Sequence, residues 1–471
     1  MLPLRDYQAR GVEQLRESYR RGARAPVYVL PTGGGKTVVF CHIGAGVAQR
    51  NRRAWVLVHR QELLEQCSRS LHGIGLSHGL VAPGYTPAPQ EPIQVCSVQT
   101  LVRRIDKGAM RDVDLIIIDE AHHATAGTWR KIINARPEAR LLGVTATPAR
   151  TDGQGLGVQG GGVFDDMIVG PGIADLISAG HLSKPAVFAP PSQLDLSGVK
   201  MRGGDFAKGD MARAVDKPTI TGDAVEHYGK ICPGMPAIAF CASVDHAKHV
   251  AAQFRAAGYR AESLDGEMPS ARRRALIEAL GSGAVDVLTS CEIVSEGTDI
   301  PVVGAAILLR PTASQTLYLQ QVGRALRPSP GKDRAIILDH VGNCLRHGLP
   351  DDDREWSLAG MPKRKGKGAA QSPDVKINQC PECFMTHPPA PQCPECGHVY
   401  EPDAQSGPKQ VEGELAEITD AQAEAMRRAK RRQVGRAQTL DDLKAIAAQR
   451  GYKPGWAEHV YRARQRRRGA A

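Results

Sequence analysis

The chain has 471 residues, more than one hydrophobic core can hold, so we expect two to four domains. Hydrophobic residues make up 42% and charged residues 24%, the balance of a globular protein, and no apolar run approaches the roughly 20 residues of a membrane helix. The net charge of +11 favours a polyanionic partner such as a nucleic acid. Because charges recur through the first 24 residues, we expect no signal peptide and an intracellular protein.

The first element with evident chemistry is a glycine-rich loop. Residues 27–30 are apolar and predict a strand, residues 31–37 read Pro-Thr-Gly-Gly-Gly-Lys-Thr, and residues 38–40 can open a helix. Glycines let backbone N–H groups turn around phosphate oxygens, and the positive end of the following helix points at the same place. Leu30 stands where the strict phosphate-binding pattern has its first glycine. The alternative is a glycine-rich turn that happens to hold a lysine.

In the phosphate-binding interpretation, Lys36 can reach the β- and γ-phosphates of a nucleotide, and the Thr37 hydroxyl can ligate Mg²⁺. Near the N-terminus, Gln8 carries both a donor and an acceptor, so it could pair with an adenine edge, although it could equally be a surface residue of a first helix. The predicted cofactor-binding residues are Gln8, Thr32, Gly33, Gly34, Gly35, Lys36 and Thr37.

An acidic pair follows a later strand of the first half. Residues 115–118 are uniformly apolar, as expected of a central parallel strand covered on both faces, and they run into Asp119-Glu120-Ala121-His122. Ligands of such sheets bind at the carboxyl ends of the strands. Asp119 can hold Mg²⁺, and Glu120 can orient and deprotonate the attacking water. The alternative is a solvated strand end.

Strands and helices alternate along both halves of the chain, which predicts two doubly wound parallel sheets. The glycine-rich residues 151–162 between them predict a mobile loop. The predicted strands cover residues 27–30, 54–58, 93–96, 114–118 and 141–144 in the first half, and residues 186–189, 237–240, 285–288, 305–309 and 335–338 in the second.

The second half has no glycine-lysine loop of its own, which suggests that it closes on the nucleotide of the first half. Residues 320–327 begin with two glutamines and place Arg324 and Arg327 three apart, on one face of a helix. Two arginines there could reach a γ-phosphate and stabilise the charge of the transition state. The alternative is a basic surface helix.

The tail contains two Cys-x-x-Cys pairs, whereas the other seven of the 11 cysteines are scattered. Four thiolates with this spacing indicate a tetrahedral Zn²⁺ site in a reducing compartment, and a redox pair is the alternative. A module this small depends on the metal for its fold, and its role, as a grip on DNA, a protein-binding site or a brace, stays open. The predicted zinc ligands are Cys380, Cys383, Cys393 and Cys396.

Taken together, the motifs resemble the core of a superfamily 2 helicase or translocase of the DEAH-box and type III restriction-like branch. The layout is similar to bacterial RadD-type DNA-repair ATPases and to phage-encoded relatives, which suggests the cytoplasm of a bacterium or of a phage-infected cell. The motifs that carry the resemblance occupy residues 4–8, 31–37, 58–62, 97–100, 119–122, 145–148, 296–301 and 320–327.

The resemblance implies two RecA-like domains with ATP in the cleft between them and nucleic acid across their top. It implies catalytic roles for Lys36, Asp119, Glu120, Gln320, Arg324 and Arg327. Weaker matches imply strand-backbone contacts at Arg60, Gln99, Thr100, Thr289 and Thr298. Single-stranded or branched DNA is the expected partner, with a single-strand-binding protein or other repair and replication proteins as further candidates.

We therefore predict an ATP-dependent DNA helicase or translocase of repair, recombination or phage replication. An ATP-switched scaffold that does not unwind, and an RNA helicase, are the alternatives. The expected domains are two RecA-like α/β domains at residues 1–180 and 182–346, a basic linker at 347–377, a zinc ribbon at 378–402 and a basic helical tail at 414–471.

Overall fold

The computed structural model describes residues 3–149, 154–189, 199–202, 204–216, 218–291, 303–360 and 377–400. Of the C-terminal part it describes residues 434, 437, 439–450, 455, 457, 458, 460 and 461. Residues up to 400 form one compact unit, and the remainder forms a second unit. Among the described residues, none of the helices combines the length and the apolar character that crossing a membrane requires.

The strands belong to two large sheets and one small hairpin. Strands β1–β7 are Pro26–Val29, Ala54–Val58, His78–Val81, Ile93–Ser97, Leu115–Asp119, Arg140–Thr145 and Asp166–Val169. Strands β8–β12 are Lys184–Phe188, Met201–Arg202, Asp205–Phe206, Ala237–Phe240 and Ala261–Leu264. Strands β13–β17 are Val287–Ser290, Ala305–Leu308, Arg334–Asp339, Asn378–Gln379 and Met385–His387.

Helices lie in the connections between these strands. Helices α1–α6 are Asp6–Arg20, Lys36–Ala48, Gln61–Gly73, Val98–Asp106, Gly127–Asn134 and Ile173–Ser178. Helices α7–α12 are Lys208–Val215, Pro218–Ile231, Val244–Ala256, Ser270–Gly281, Gln315–Ala325 and Asn343–His347. Helix α13 is Leu440–Arg450, and two short 3₁₀ turns cover Ala121–His123 and Val158–Gly160.

Lobe 1, which we define as residues 3–180, is built on a seven-stranded sheet. Its order is β3-β4-β2-β5-β6-β1-β7, and every pairing is parallel. Because successive side chains alternate between faces, Ile117 of β5 packs in one hydrophobic cluster while Ile116 and Ile118 pack in another on the opposite face. Burial on both faces explains why the strand is uniformly apolar.

Lobe 2, residues 182–348, has a second parallel sheet that the tail extends. The order is β12-β13-β11-β14-β15-β8-β17-β16, in which the first six strands are parallel. Strands β16 and β17 belong to residues 377–400, which we call the cysteine hairpin, and β17 pairs antiparallel with β8. The two predicted parallel sheets are confirmed, but the cysteine hairpin continues the second sheet rather than standing apart from it.

The chain crosses back from lobe 2 to lobe 1 in residues 349–360, which we call the return segment. The carbonyl of Leu358 accepts a hydrogen bond from the Gly157 N–H at 2.9 Å, and the Leu358 side chain packs against the core of lobe 1. A Cβ atom on Gly155 would lie 2.0 Å from the Leu358 carbonyl oxygen, so this close approach requires glycine. Residues 154–162 therefore contact the return segment, whereas the glycines of residues 151–162 had predicted a mobile loop. The predicted linker begins as packed structure, and residues 361–376 lie outside the described residues.

The C-terminal unit contains α13 and a small cluster of its own. Thr439 and Asp442 cap the helix reciprocally, since the Asp442 N–H donates to Thr439 Oγ1 at 3.1 Å and the Thr439 N–H donates to Asp442 Oδ2 at 2.9 Å. The buried residues of the cluster are Ala437, Leu443, Ile446 and Ala457. The helical part of the predicted tail is thus present at 440–450, and the predicted helix over 414–432 lies outside the described residues.

Candidate functional site

The glycine loop joins β1 to α2 and forms a cradle at the N-terminus of that helix. Lys36 is the first residue of α2, and its Nζ donates to the Leu30 carbonyl at 3.3 Å. Gly35 has a φ of 83°, and a Cβ there would lie 2.4 Å from Gln8 Nε2, so both conformation and space require glycine. A loop of N–H groups, a lysine and a positive helix end in one place suit the phosphates of a nucleotide.

Gln8 forms a hydrogen bond with the glycine loop and is not a surface residue, since it is 3% exposed. Its Nε2 donates to the Gly34 carbonyl at 3.2 Å, and its Oε1 accepts from the Arg5 N–H at 3.0 Å. One N–H and one lone pair of the amide remain for an adenine edge, so base recognition stays a prediction. Tyr7 also donates its hydroxyl to the Gly34 carbonyl, at 2.9 Å, and nothing in the sequence had singled it out.

The acidic pair lies at the carboxyl end of β5. Asp119 is 7% exposed, which excludes a solvated strand end, and its Oδ1 accepts from the Glu120 N–H at 3.0 Å. Burial and the neighbouring Glu120 raise the pKa of Asp119 to about 7, while Lys36 acts in the opposite direction. Glu120 adopts a left-handed conformation with φ 51°, and its Oε2 lies 3.5 Å from His122 Nδ1. This concentration of negative charge fits a site that binds a divalent cation and in which one carboxylate activates water.

Two arginines of lobe 2 face the same cleft. Burial lowers the pKa of Lys36, the carboxylates of Glu120 and Asp119 raise it, and the positive charges of Arg324 and Arg327 lower it again. Both guanidinium groups are therefore close enough to Lys36 for their charges to affect it. Arg324 is 5% exposed on the largely buried helix α11, which excludes a basic surface helix.

The placement of Arg327 differs from the prediction. Helix α11 ends at Ala325, so Arg327 lies in the following turn and does not share a helical face with Arg324. Burial lowers the pKa of Arg327 to about 10, which leaves it a cation at neutral pH. The turn starts early because Pro328 disfavours helical geometry in the residue before it, which is Arg327.

The glycine loop and α11 touch directly. A Cβ on Gly323 would lie 2.7 Å from Thr32 Cβ, and a Cβ on Gly33 would lie 3.6 Å from Arg327 Cγ. On the same helix, Gln320 is 2% exposed and its Nε2 has no hydrogen-bond partner among the described residues. A buried amide N–H without an acceptor, one helical turn from Arg324, fits a site that receives an anionic ligand.

Other contacts between the lobes surround this cleft. Thr147, which follows β6, donates its hydroxyl to Thr316 Oγ1 at 2.9 Å. Arg273 of α10 donates to Glu62 of α3 at 2.6 Å. The ion pair escaped sequence analysis because its partners lie 211 residues apart, and the motif at residues 58–62 does not indicate which residue Glu62 contacts.

The residues predicted to touch a nucleic acid differ in their exposure to solvent. Arg60 precedes α3 and is half-buried, Gln99 is exposed, and Thr100 is half-buried. Thr289 is fully buried and donates its hydroxyl to the Ala247 carbonyl at 2.7 Å, so its side chain serves the packing of lobe 2. Thr298, with residues 292–302, lies outside the described residues.

The four cysteines of the hairpin come together as predicted. Their sulfur atoms all lie within 4.8 Å of one another, with Cys380 Sγ 3.5 Å from Cys396 Sγ and Cys383 Sγ 3.7 Å from Cys393 Sγ. Tetrahedral Zn–S bonds of about 2.3 Å place sulfur atoms about 3.8 Å apart, so the donor set fits Zn²⁺. His387 lies near this cluster in sequence, but its two ring nitrogens form hydrogen bonds with the Pro388 carbonyl and the Tyr400 hydroxyl.

Two family models match this chain. Residues 1–150 match the res subunit of type III restriction enzymes, and residues 223–329 match the helicase conserved C-terminal domain. A 51.5 kDa protein of a Lactococcus phage is 34% identical over 362 residues, which cover 76% of this chain and 74% of the phage protein. The chain belongs to the superfamily 2 helicases. This family membership confirms the predicted class of enzyme, an ATP hydrolase.

A yeast relative supports the same family. The IRC3 protein of Saccharomyces cerevisiae, whose name describes an ATP-dependent helicase, is 30% identical over 358 residues. The match covers 72% of this helicase chain and 51% of the yeast protein. The chain thus spans about half the length of this relative.

Solved structures agree on the fold of this helicase. A fragment of an HsdR subunit of a type I restriction enzyme from Vibrio vulnificus aligns with a TM-score of 0.57 at 20% identity, over 73% of this chain and 65% of that one. The ATP-dependent Type ISP restriction-modification enzyme LlaBIII, solved bound to DNA, aligns with a TM-score of 0.53 at 20% identity, over 71% of this chain and 27% of that one. The predicted pair of RecA-like domains is confirmed.

Proposed function

We propose that this helicase is an ATP-driven motor that moves along DNA or remodels it, in repair, recombination or phage replication. The observation that supports the proposal is one cleft built from both lobes, with the glycine loop and the acidic pair on one side and two arginines on the other. A site shared between lobes changes whenever the lobes move, so hydrolysis in it is coupled to their relative position.

Lobe 1 supplies the groups that fit the nucleotide. ATP with Mg²⁺, when bound, would supply the phosphoanhydride bond whose cleavage drives the motor. The loop N–H groups and Lys36 suit its phosphates, and Thr37 and Asp119 are the oxygen donors that suit Mg²⁺. Glu120, held beside Asp119 by the strand end, is the candidate for orienting the attacking water.

Lobe 2 supplies the groups that respond to hydrolysis. Arg324 and Arg327 are cations near Lys36 and suit the charge that develops on a γ-phosphate. The Nε2 of Gln320, for which the described part of the chain offers no acceptor, adds a donor on α11, the helix of Arg324. These groups argue against a scaffold that merely switches affinity with ATP, because binding alone does not need a water-activating carboxylate and two cations opposite it.

DNA is the polymer that we propose as partner. The net charge of +11 provides phosphate attraction, and a structure with the same fold, the Type ISP enzyme, was solved bound to DNA. Single-stranded or branched DNA suits a motor of this kind, and an RNA substrate is the second candidate that the experiment below separates.

The cysteine hairpin would hold one Zn²⁺ through Cys380, Cys383, Cys393 and Cys396. A site closed by four protein ligands leaves no open position for a substrate, so its role is structural. The hairpin continues the sheet of lobe 2, where Thr386 Oγ1 donates to the Val187 carbonyl at 3.0 Å and Arg334 pairs with Glu395 at 2.7 Å. Of the three roles left open by the sequence, these contacts favour a brace.

The test is an ATPase titration of the full chain against single-stranded DNA, forked DNA and RNA, beside a strand-displacement assay. We expect DNA to raise turnover, Lys36→Ala to lower kcat by at least about 10³-fold, and Glu120→Gln to abolish turnover while ATP still binds. Equal turnover with and without nucleic acid would contradict the motor. Greater stimulation by RNA than by DNA would identify an RNA helicase, and ATP-dependent DNA affinity without turnover would identify a scaffold.

A further inference from the structure

Lys332 lies in the turn between α11 and β15 and joins three parts of lobe 2. Its ammonium donates to the carbonyl of Arg327 at 2.7 Å, to that of Val303 at 2.9 Å and to that of Ala325. An ammonium has three N–H donors, so all of them are used on main-chain carbonyls. Lys332 therefore fixes backbone rather than another side chain.

The three carbonyls define what is fixed. Ala325 is the last residue of α11, and Arg327 follows in the turn two residues later. Val303 is fully buried and precedes β14 by two residues. The last carbonyls of a helix have no partners within the helix and carry its negative end, so a lysine satisfies them both by hydrogen bonds and by charge. Lys332 thus ties the end of α11 to the start of β14.

The surroundings of Lys332 are unusual for a lysine. Removal from water lowers the pKa of Lys332 to about 8, and no carboxylate among the described residues forms an ion pair with it. Lys230 of α8 shows the ordinary arrangement, since it is exposed and pairs with Glu226 one helical turn away. Lys332 is partly removed from water and has no acidic partner among the described residues. Its contacts with the three carbonyls therefore compensate for the lost hydration.

The turn that Lys332 holds carries Arg327 to the cleft. The Leu326 carbonyl accepts from the Ser183 N–H at 2.7 Å, so the backbone is fixed on the N-terminal side of Arg327 as well. From this position the Arg327 side chain passes over the glycine loop, where a Cβ on Gly33 would lie 3.6 Å from Arg327 Cγ. Without Lys332 the carbonyls of Ala325 and Arg327 would lose their shared donor, and the turn would relax.

We infer that Lys332 is a positioning residue for ATP hydrolysis, which holds the Arg327 guanidinium at the γ-phosphate side of the cleft by fixing the turn after α11. The inference rests on the proposed function, because it requires Arg327 to act in hydrolysis. It adds a residue that touches neither nucleotide nor metal. Displacing a catalytic group by about 1 Å can cost about 100-fold in rate, so a residue with this role affects kcat strongly.

The test compares Lys332→Met and Lys332→Arg with Lys230→Met, an exposed lysine of the same lobe, as the matched control. We expect Lys332→Met to lower DNA-stimulated kcat by about 10- to 100-fold while KM for ATP changes by less than about threefold. Lys332→Arg, which keeps a cation with several donors, retains most of the rate, and Lys230→Met keeps wild-type kinetics. Hydrogen exchange in β14 and β15 monitors whether each variant keeps the fold of lobe 2.

A double-mutant cycle separates positioning from general weakening of the fold. In a chain that already carries Arg327→Ala, Lys332→Met should cost less than about threefold, since the group that it positions is gone. An equal loss of rate in both backgrounds overturns the inference, because Lys332 would then act independently of Arg327. If Lys332→Met does not fold, the same cycle is run with Lys332→Gln, and the same outcomes apply.

The results also distinguish this inference from the proposed function. If Arg327→Ala leaves kcat unchanged, the role of Arg327 in the proposed function fails, and the inference fails with it. If Arg327→Ala is slow but Lys332→Met equals the wild type, the motor stands and only the role of Lys332 is overturned.

Discussion

The two lobes have the same kind of sheet but use it differently. Lobe 1 places polar groups directly at the carboxyl ends of its strands, with the glycine loop after β1 and Asp119 at the end of β5. Lobe 2 leaves its strand ends to packing and presents α11 and the turn after it to the cleft. The difference shows that two copies of a fold need not carry the same site. The connections between strands determine which lobe supplies the phosphate-binding loop and which lobe supplies the groups opposite it.

The lobes also differ in what lies at the edges of their sheets. The sheet of lobe 1 ends at β3 and β7, whereas that of lobe 2 gains the two strands of the cysteine hairpin beyond β8. Lobe 2 further buries His340, which follows β15, and His347, the last residue of α12, and burial lowers the pKa of each. In lobe 1 the raised pKa of Asp119 acts on stability in the opposite direction as pH falls. We therefore expect lobe 2 to depend on the metal and to lose stability in acid, and three experiments test this contrast and its effect on the cleft.

Metal removal should have the largest effect and should be confined to lobe 2. Cys380→Ser, or treatment with a chelator, is expected to release one Zn²⁺ per chain and to destabilise lobe 2 by more than about 3 kcal/mol, because metal binding contributes directly to the folding of small modules. A chromophoric chelator measures the released metal, and hydrogen exchange compares β8 and β15 with β1 and β6.

Cys291→Ser is the matched control for metal removal, since Cys291 is half-buried in lobe 2 and outside the four-thiol cluster. It should keep the metal and the exchange pattern. Loss of Zn²⁺ with unchanged exchange in β8 would show that the hairpin does not brace the sheet.

Acid should also lower the stability of lobe 2, by a smaller amount than metal removal does. Burial lowers the pKa of His340 to about 3 and that of His347 to about 4, whereas both histidines titrate near pH 6.5 in the unfolded chain. Between pH 6.5 and pH 4 the unfolded state therefore binds more protons, so stability falls as pH falls, by about 2 kcal/mol for each histidine at pH 5. Hydrogen exchange in β14 and β15, recorded from pH 7 to pH 5, measures the loss.

His340→Phe provides the control for the acid effect, because it removes the titrating group and keeps a ring against His227, which stacks on His340 at 5.2 Å. The variant should flatten the pH dependence of lobe 2. An unchanged slope, or an equal loss in β5 and β6 of lobe 1, would contradict the assignment to these buried rings.

The smallest expected effect concerns the contact between the lobes. Thr316→Val leaves the Thr147 hydroxyl without its partner in a buried place, so we expect a loss of about 1 kcal/mol, or roughly fivefold, in DNA-stimulated kcat. The double variant Thr147→Val with Thr316→Val should be less impaired than Thr316→Val alone, since the Thr147 hydroxyl that would lose its partner is then absent. Additive losses would show that the two hydroxyls act separately.

Much of the fold could be predicted because its strands are buried on both faces. Ala54–Val58 begins and ends where its apolar run does, and Ala237–Phe240 has the same bounds as the predicted strand. The strands that the sequence did not predict, such as His78–Val81 and Asp166–Val169, lie at sheet edges, cover only four positions each and contain no run of consecutive buried residues. A pattern that short does not distinguish a strand from a loop.

The site could be predicted where chemistry demands particular residue types in order, as for Lys36 and Asp119. It could not be predicted where a contact depends on tertiary proximity between ordinary residues. Tyr7 reaches the loop across 27 positions and Thr316 reaches Thr147 across 169, and the local sequence around each residue does not indicate its distant partner. Lys332 was missed for the same reason, since its partners are main-chain carbonyls that any residue offers.

The return segment has a consequence for how the lobes can move. The chain passes from lobe 1 to lobe 2 after α6 and comes back through residues 349–360, and residues of α6 and of the return segment line one cavity of about 240 Å³, together with the glycine loop and α11. These two crossings tether the lobes at one side. A rotation of one lobe about the line that joins the crossings is therefore the relative displacement that costs the least. A change in the distance between Arg273 and Glu62, which belong to neither crossing, would report this displacement.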